Sequence, residues 1–351
     1  MLSYLIRRIL LIVPTLIGAT ALIFFVIELS PINIKASLLS AEGTIQPGER
    51  AAREAYLNKR YGLDKPAPVR YLRWLNRISP LGFRDPPDDW SFRFKWPDLG
   101  DSVKKSRPVG DVIGDALPVT IMMQAIAIPI SYTIAILLGI WTAKHRGKVQ
   151  DVATGTALLA MWSLPVIWVS VMLIGFFTNQ HYFKWFPTGE LHDKAAAEWS
   201  FFPGGGTRGW LVDMGWHLIL PIVCLAYGNF AYLSKLTRAS LLDTMQADFV
   251  RTARAKGLGE RVVLYRHAFR NSLLPLITVF GSLLPALIVG SVVVERVFSI
   301  NGMGNLVVEA MQTGDMELFL SVSAITIVLA LVGNLLADIG YMAADPRVTY
   351  E

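Results

Sequence analysis

Six stretches of this sequence stay largely apolar for more than twenty residues, at 5–29, 117–141, 152–178, 216–236, 275–297 and 318–341. A helix rising ~1.5 Å per residue needs about 20 such residues to cross the hydrocarbon of a bilayer. Backbone N–H and C=O groups find no water there, so each stretch must satisfy them internally. The predicted fold class is an all-α integral membrane protein with about six transmembrane helices. Pro14, Pro129, Pro165, Pro221 and Pro285 lie inside these stretches. Each frees a backbone carbonyl that neighbouring helices must cover, so the spans belong in a bundle.

Composition agrees. Charged residues make up 17% of the chain, against roughly 25% in soluble domains, and the mean hydropathy is +0.44. The net charge of +6 could point to nucleic acid, but Lys and Arg fall in short runs between apolar segments rather than along one soluble face. They read as membrane-flanking charge, with lipid and not nucleic acid as the neighbour. Cys224 stands alone inside an apolar segment and reads as packing. Arg7 and Arg8 precede an apolar run at 9–29. That run exceeds the ~7–15 residues of a signal-peptide core, and no small-x-small site follows it, so an uncleaved helix is expected.

Short loops set the orientation, because positive residues are retained on the cytoplasmic side. Arg7 and Arg8 mark one such flank. Lys144, His145, Arg146 and Lys148 mark a second, and Arg238, Arg251, Arg254, Lys256, Arg261, Arg266 and Arg270 a third. With six crossings, both termini are expected in the cytoplasm. The segment 31–115 is also basic, but it is longer than the roughly 60 residues over which the charge rule has force, and it is assigned to the outside.

Within that external segment, 49–60 and 69–78 carry helical periodicity, the latter with Tyr71, Leu72, Trp74 and Leu75. Residues 79–97 are rich in Pro, Asp, Trp and Phe without periodicity and read as a loop on the membrane surface or a docking surface. The second external loop, 179–215, contains Gly204, Gly205 and Gly206. With no strand before it, that run is flexible punctuation rather than a phosphate cradle.

The cytoplasmic loop 237–274 is the most informative. Phe249, Val250 and Ala253 can line one face of a short amphipathic helix; Gly257 and Gly259 can turn the chain, and Val262, Val263 and Leu264 begin a second helix returning to the membrane. From these residues alone, a lipid-surface element and a protein-docking helix weigh equally.

Catalytic chemistry is hard to find. His145, His181, His192, His217 and His267 form no HExxH or other close metal spacing, and neither GxSxG nor GxxxxGK[ST] occurs. Any ATP coupling must come from a partner. Glu28, Glu295 and Asp338 fall near the ends of predicted spans, while Gln124, Asn229 and Asn334 are merely polar. That weakens, without removing, the alternative of an ion-coupled secondary transporter, which commonly carries an acid or a broken helix at the midplane. A membrane enzyme or scaffold would need a buried catalytic constellation.

Several separated segments resemble, in order, the permease subunits of the dipeptide/oligopeptide class of ABC importers. They are SYLIRRILLIVPTLIGATALIFF at 3–25, RYGLDKPAPVRYLRWL at 60–75, DLGDSVKKSRPVGDVIGDALPVTI at 98–121, DFVRTARAKGLGERVVLYRHAFRNSLLP at 248–275, ERVFSINGMGNLVVEA at 295–310 and ADPRVTYE at 344–351. The resemblance implies a type I importer permease core and the following division: 1–30 an N-terminal transmembrane helix, 31–115 an external segment, 116–341 the transmembrane core with its coupling loop at 237–274, and 342–351 a cytoplasmic tail.

In that family, the segment with alanines ahead of a glycine docks in a groove of the ATPase subunit. Carried over, the ATPase-coupling residues are Asp248, Arg251, Thr252, Ala253, Arg254, Ala255, Lys256 and Gly257. Arg251, Thr252 and Ala253 stand where the broader importer motif has Glu-Ala-Ala, so Arg251 replaces the acid. Ala253 and Ala255 would permit close approach to a partner surface. The resemblance further implies a second homologous permease chain, two ATPase subunits that hold ATP and Mg, an external solute-binding protein, no cofactor on this chain, and a place in the bacterial inner membrane. Residues 79–97 and 179–215 look longer than the compact form of the family, and the nearest subgroup takes up longer or modified peptides. Similar permeases also serve nickel complexes and glycosides, with solute choice resting largely on the binding protein.

Overall fold

The computed structural model describes residues 2–29, 65–83, 92–102, 104–204, 207–283 and 290–344. The chain divides into two compact units, one of Met1–Leu117 with Leu306–Leu331 and the other of Pro118–Asn305 with Val332–Glu351. The expected helix at 49–60 lies outside the described residues.

In the first unit, α1 (Leu2–Glu28) is a long apolar helix that leaves Leu10 and Leu22 about two-thirds exposed, as a lipid-facing helix should. Helix α2 (Ala67–Ile78) begins after Pro66, with Pro68 in its first turn, where a missing N–H costs no helical bond. It packs Tyr71 and Trp74 against Phe24 of α1 and against Leu320 and Ala324 of α13 (Met316–Ala344). The Tyr71 hydroxyl sits 3.0 Å from Thr20 Oγ1 and donates to the Ile17 carbonyl at 2.8 Å. Arg70 pairs with Glu28, and Arg77 with Glu317. Helix α2 is therefore tied to the C-terminal end of α1 and the N-terminal end of α13.

Two small antiparallel pairs follow α2, the first of them within 79–97, where an aperiodic loop is expected. Strand β1 (Leu81–Phe83) pairs with β2 (Phe92–Phe94), matching Leu81 to Phe94 and Phe83 to Phe92. Asn76 clamps the hairpin by donating to the Phe83 carbonyl and accepting the Phe83 N–H. Strands of three residues are too short to betray a period of two. The second pair, β3 (Asp101–Ser102) with β4 (Arg107–Pro108), leads into α3 (Val109–Lys144).

At 36 residues, α3 is about 54 Å long and outreaches the ~30 Å hydrocarbon layer. The predicted span 152–178 is not straight. It comprises α4 (Val149–Ser163) and α5 (Val166–Phe177), bent by 95°. Pro165 has no N–H to continue α4 and pushes the residue before it out of the helical region, and Leu164 is accordingly extended at φ −78°, ψ 127°. Helix α6 (Trp210–Met245) contains the predicted span 216–236 and runs through Thr237 and Arg238 into the expected loop.

Beyond α6 come α7 (Asp248–Ala255), α8 (Glu260–Val262), a π-helical stretch (Val263–Phe269), α9 (Arg270–Ser272), α10 (Leu274–Leu283), α11 (Val292–Val297) and α12 (Met303–Thr313). Among the described residues, four helices are long and apolar enough to cross a membrane, or five spans if the bent pair counts as one. The remaining predicted span, 275–297, covers α10 and α11 but includes 284–289, outside the described residues. The core of the second unit joins Met123 and Ala127 of α3 to Leu218 and Cys224 of α6 and to Val294 and Phe298. Cys224 is thus a packing residue.

Candidate functional site

The basic loop folds into an elbow at the Met245 end of α6. Gln246 caps α6, and Ala247 (φ −66°, ψ 148°) turns the chain into α7. Asp248 lies in the first turn of α7 and Arg254 in the last, the charge order that suits a helix dipole. Spacing of three places Val250 and Ala253 on one face. Both are buried, in a cluster with Ile140 and Ala143 of α3, Leu241 of α6 and Val263 of the π-helical stretch. The elbow is thereby fused to the ends of two long helices.

The opposite face of α7 is open. Asp248 and Arg251 side chains are 96% and 71% exposed and lie 3.6 Å apart. Thr252, Arg254, Ala255 and Lys256 are exposed as well. The structure separates the two alanines expected to meet a partner: Ala255 is outward, whereas Ala253 is buried in the elbow's own cluster. A larger side chain at 253 would collide within the chain rather than with a docked subunit. Of the two glycines expected at the turn, Gly257 alone is left-handed, at φ +77°; Gly259 has φ −62° and caps α8. Arg254 spans the turn, its Nε donating to Glu260 Oε1 at 2.8 Å and Nη2 to Oε2 at 3.3 Å. Around it Phe249, Leu258 and Val262 remain 44%, 40% and 42% exposed, interleaved in the chain with Arg251, Lys256 and Arg261. An apolar strip between cations offers both contact area and electrostatic steering to a protein surface.

Residues 135–350 match the family described as binding-protein-dependent transport system inner membrane component, and 1–124 match the corresponding N-terminal membrane component. The chain belongs to this family. It is similar to the oligopeptide transport system permease protein AppB of Bacillus subtilis, 34% identical over the whole of both chains. It also resembles the inner membrane ABC transporter permease protein YejB of Escherichia coli O157:H7, 31% identical over 99% of each. The peptidoglycan transport system permease protein YejB of Agrobacterium fabrum is 30% identical over 99% of this chain and 98% of its own. As a member of the family, this is a multi-pass inner-membrane transport component with an all-α, type I permease architecture; the ion-coupled alternative finds no support in these matches.

Three polar features of this permease were not legible as sites in the sequence. Asp151, buried at the start of α4, accepts from Arg238 Nε at 2.7 Å, Arg238 Nη2 at 2.6 Å and the Gly147 N–H at 3.0 Å. The carbonyl of Leu164, at the break between α4 and α5, accepts from Tyr227 Oη at 2.7 Å. Glu295 is 1% exposed, and its Oε2 accepts the Asn305 N–H at 2.9 Å in the first turn of α12. Gly302 makes room for that carboxylate: a Cβ there would lie 2.5 Å from Glu295 Cδ. In the sequence, Arg238 counts only as one of a run of loop cations, and Glu295 only as an acid near the end of a span. No signal pairs residues 87 or 63 positions apart.

Proposed function

We propose that this chain is one of two homologous permeases of an ATP-driven peptide importer, with residues 248–257 docking in a partner ATPase. The supporting observation is the elbow's two-sidedness. Its outer side is open and mixes charged with apolar side chains, while its inner face is locked by Val250 and Ala253 to the ends of α3 and α6. A push on α7 from outside would therefore be delivered to helices of the transmembrane core. The names of two relatives, oligopeptide and peptidoglycan transport system permeases, favour peptides or modified peptides as the solute, and a third is named as an ABC transporter permease.

In this reading the chain is not itself an enzyme: ATP and Mg are held by two partner ATPases, and an external solute-binding protein delivers the peptide. Both termini and the elbow face the cytoplasm, and 31–115 faces outward. ATP-driven closure of the ATPases shifts the permease pair between two access states by moving packed helices as bodies.

Gly257 supplies the test. A Cβ there would meet nothing within 4 Å, so space does not limit substitution; the left-handed backbone does, at about 1–2 kcal/mol for an ordinary L-residue. In the reconstituted importer, Gly257→Val should hydrolyse ATP without matching uptake, whereas Gly257→Asn, which tolerates this conformation, should remain close to wild type. A Gly257→Val permease that assembles and transports normally would overturn the assignment.

A further inference from the structure

The elbow and the broken span share no apolar core at their cytoplasm-proximal ends. Among the described residues, the cluster that holds α7 draws on α3, α6 and the π-helical stretch, and contains no side chain from α4 or α5. Helix α4 packs along α6, but apolar helix faces can slide past one another at small cost, which is how shear motions arise. A displacement of α6 need not carry α4 with it through such contacts.

One contact at this end resists sliding. Arg238 grips both oxygens of Asp151 in a two-pronged pair, and the Gly147 N–H holds the carboxylate from the third side. A fork of this kind fixes position and rotation together, as a single apolar contact does not. Arg238 lies seven residues before the end of α6 at Met245, about two turns above the elbow. Asp151 is in the first turn of α4. The Asp151 side chain is buried and that of Arg238 half-buried; an ion pair drawn out of water is weak as a source of stability relative to apolar packing, and its best-attested use is to fix register.

Resting on the coupling reading above, we infer that Asp151 and Arg238 are positioning residues that carry movement of the elbow into the broken span. They tie α4 to the same body, α6 with the elbow, on which the ATPase would push. The far end of α4 is tied to α6 too, at the Leu164 carbonyl, by Tyr227. Helix α4 is thus held at both ends on one neighbouring helix and moves with it, and the extended pair Leu164–Pro165 is left as the place where α5 can change direction.

The test uses the complete importer in liposomes, with its ATPases and binding protein. Uptake of an isotope-labelled mixture of short peptides is read by mass spectrometry alongside ATP hydrolysis, both per assembled complex. For Asp151→Asn, which keeps the shape but loses the fork, uptake per ATP should fall roughly ten-fold while hydrolysis changes little. Arg238→Lys, which keeps the charge without the fork, should fall in the same ratio to a smaller degree, and it decides the matter if Asp151→Asn does not assemble. Joining Asp151→Cys to Arg238→Cys with a short thiol cross-linker should restore uptake per ATP relative to the unlinked double variant. An unchanged ratio in these variants, whether both rates hold or both fall together, would overturn the inference. If Gly257→Val also leaves the ratio unchanged, the coupling reading falls with it; if Gly257→Val lowers the ratio and the Asp151 and Arg238 variants do not, only the present inference falls.

Discussion

The hydroxyl of Thr120 donates to Glu295 Oε1 at 3.1 Å and itself accepts the Met303 N–H at 2.8 Å, so one side chain of α3 serves both a buried carboxylate and the first residue of α12. Both residues are essentially inaccessible. Thr120→Val keeps the shape and removes the hydroxyl, leaving a buried N–H and one carboxylate oxygen short of partners. The expected cost is about 1–3 kcal/mol, seen as a lower melting temperature in detergent. Thr120→Ser, which restores the hydroxyl, should recover most of it. A Thr120→Val protein as stable as wild type would show that this junction contributes nothing net.

A second buried acid ties Ser102 and Lys104 to the start of α13. Asp315 precedes α13 and caps it by accepting the Leu318 N–H at 3.2 Å; its other oxygen accepts from Ser102 Oγ at 2.6 Å and the Lys104 N–H at 3.2 Å. Asp315→Ala removes a helix cap and a cross-chain tie at once, with an expected loss of about 1–3 kcal/mol. Ser102→Ala removes one of the three bonds to Asp315, together with the bond that Ser102 Oγ accepts from the Lys105 N–H at 3.0 Å, but leaves the helix cap and the Lys104 bond in place and should cost less. Limited proteolysis between 95 and 108 checks the tie directly: cleavage there should quicken in Asp315→Ala and to a smaller degree in Ser102→Ala.

Which of these features the sequence announces depends on how local the signal is. Four of the six predicted spans, 5–29, 117–141, 216–236 and 318–341, fall on long apolar helices, and the short periodic or glycine-marked signals of helix α2 with Tyr71 and Trp74 and of the elbow with Val250 and Gly257 also form as read. Pro165 announces a disturbance in 152–178 but not its size, because the 95° bend depends on which neighbour takes the Leu164 carbonyl. The β1–β2 hairpin is too short to carry a pattern. Asp151 with Arg238, and Thr120 with Glu295, are contacts between distant parts of the chain, and a single sequence holds no record of who faces whom. Ala253 marks the subtler failure: its small size was attributed to a partner's approach, when the neighbour that needs the room is the chain itself.

The loop around His192 carries a pH dependence. Burial against Trp210, whose ring stacks on His192 at 4.3 Å, pushes the imidazole pKa of His192 below its ordinary value; Asp213 opposes this, and His217 adds to it. The folded loop therefore favours neutral His192, and below the ordinary value of about 6.5 the unfolded loop binds more protons than the folded one. The contribution is whole above that value and is lost as pH falls through the depressed folded one. Hydrogen exchange over 190–200, corrected for intrinsic rates, should show protection falling between pH 7 and pH 5. His192→Asn should flatten the trend; if the slope persists, the titrating group is not His192.

Tyr227→Phe addresses the break in the fourth helix. Inside a bilayer, a carbonyl released from a helix has no water to bond, and each unsatisfied group there costs several kcal/mol. The Leu164 carbonyl escapes that cost through one donor, Tyr227 Oη, supplied from three turns along α6 relative to Arg238. Phenylalanine retains the ring and its packing and removes only the donor, so the difference isolates the hydrogen bond. If the break is dry, Tyr227→Phe should lower stability by about 1–3 kcal/mol, with faster amide exchange confined to 160–169, and Tyr227→Leu should do worse because it also leaves a void. If Tyr227→Phe melts as wild type does, water reaches the carbonyl. Non-helical backbone at membrane depth is tolerated only against protein or along a water-filled cavity, so that outcome would put Leu164 and Pro165 beside a water-filled cavity.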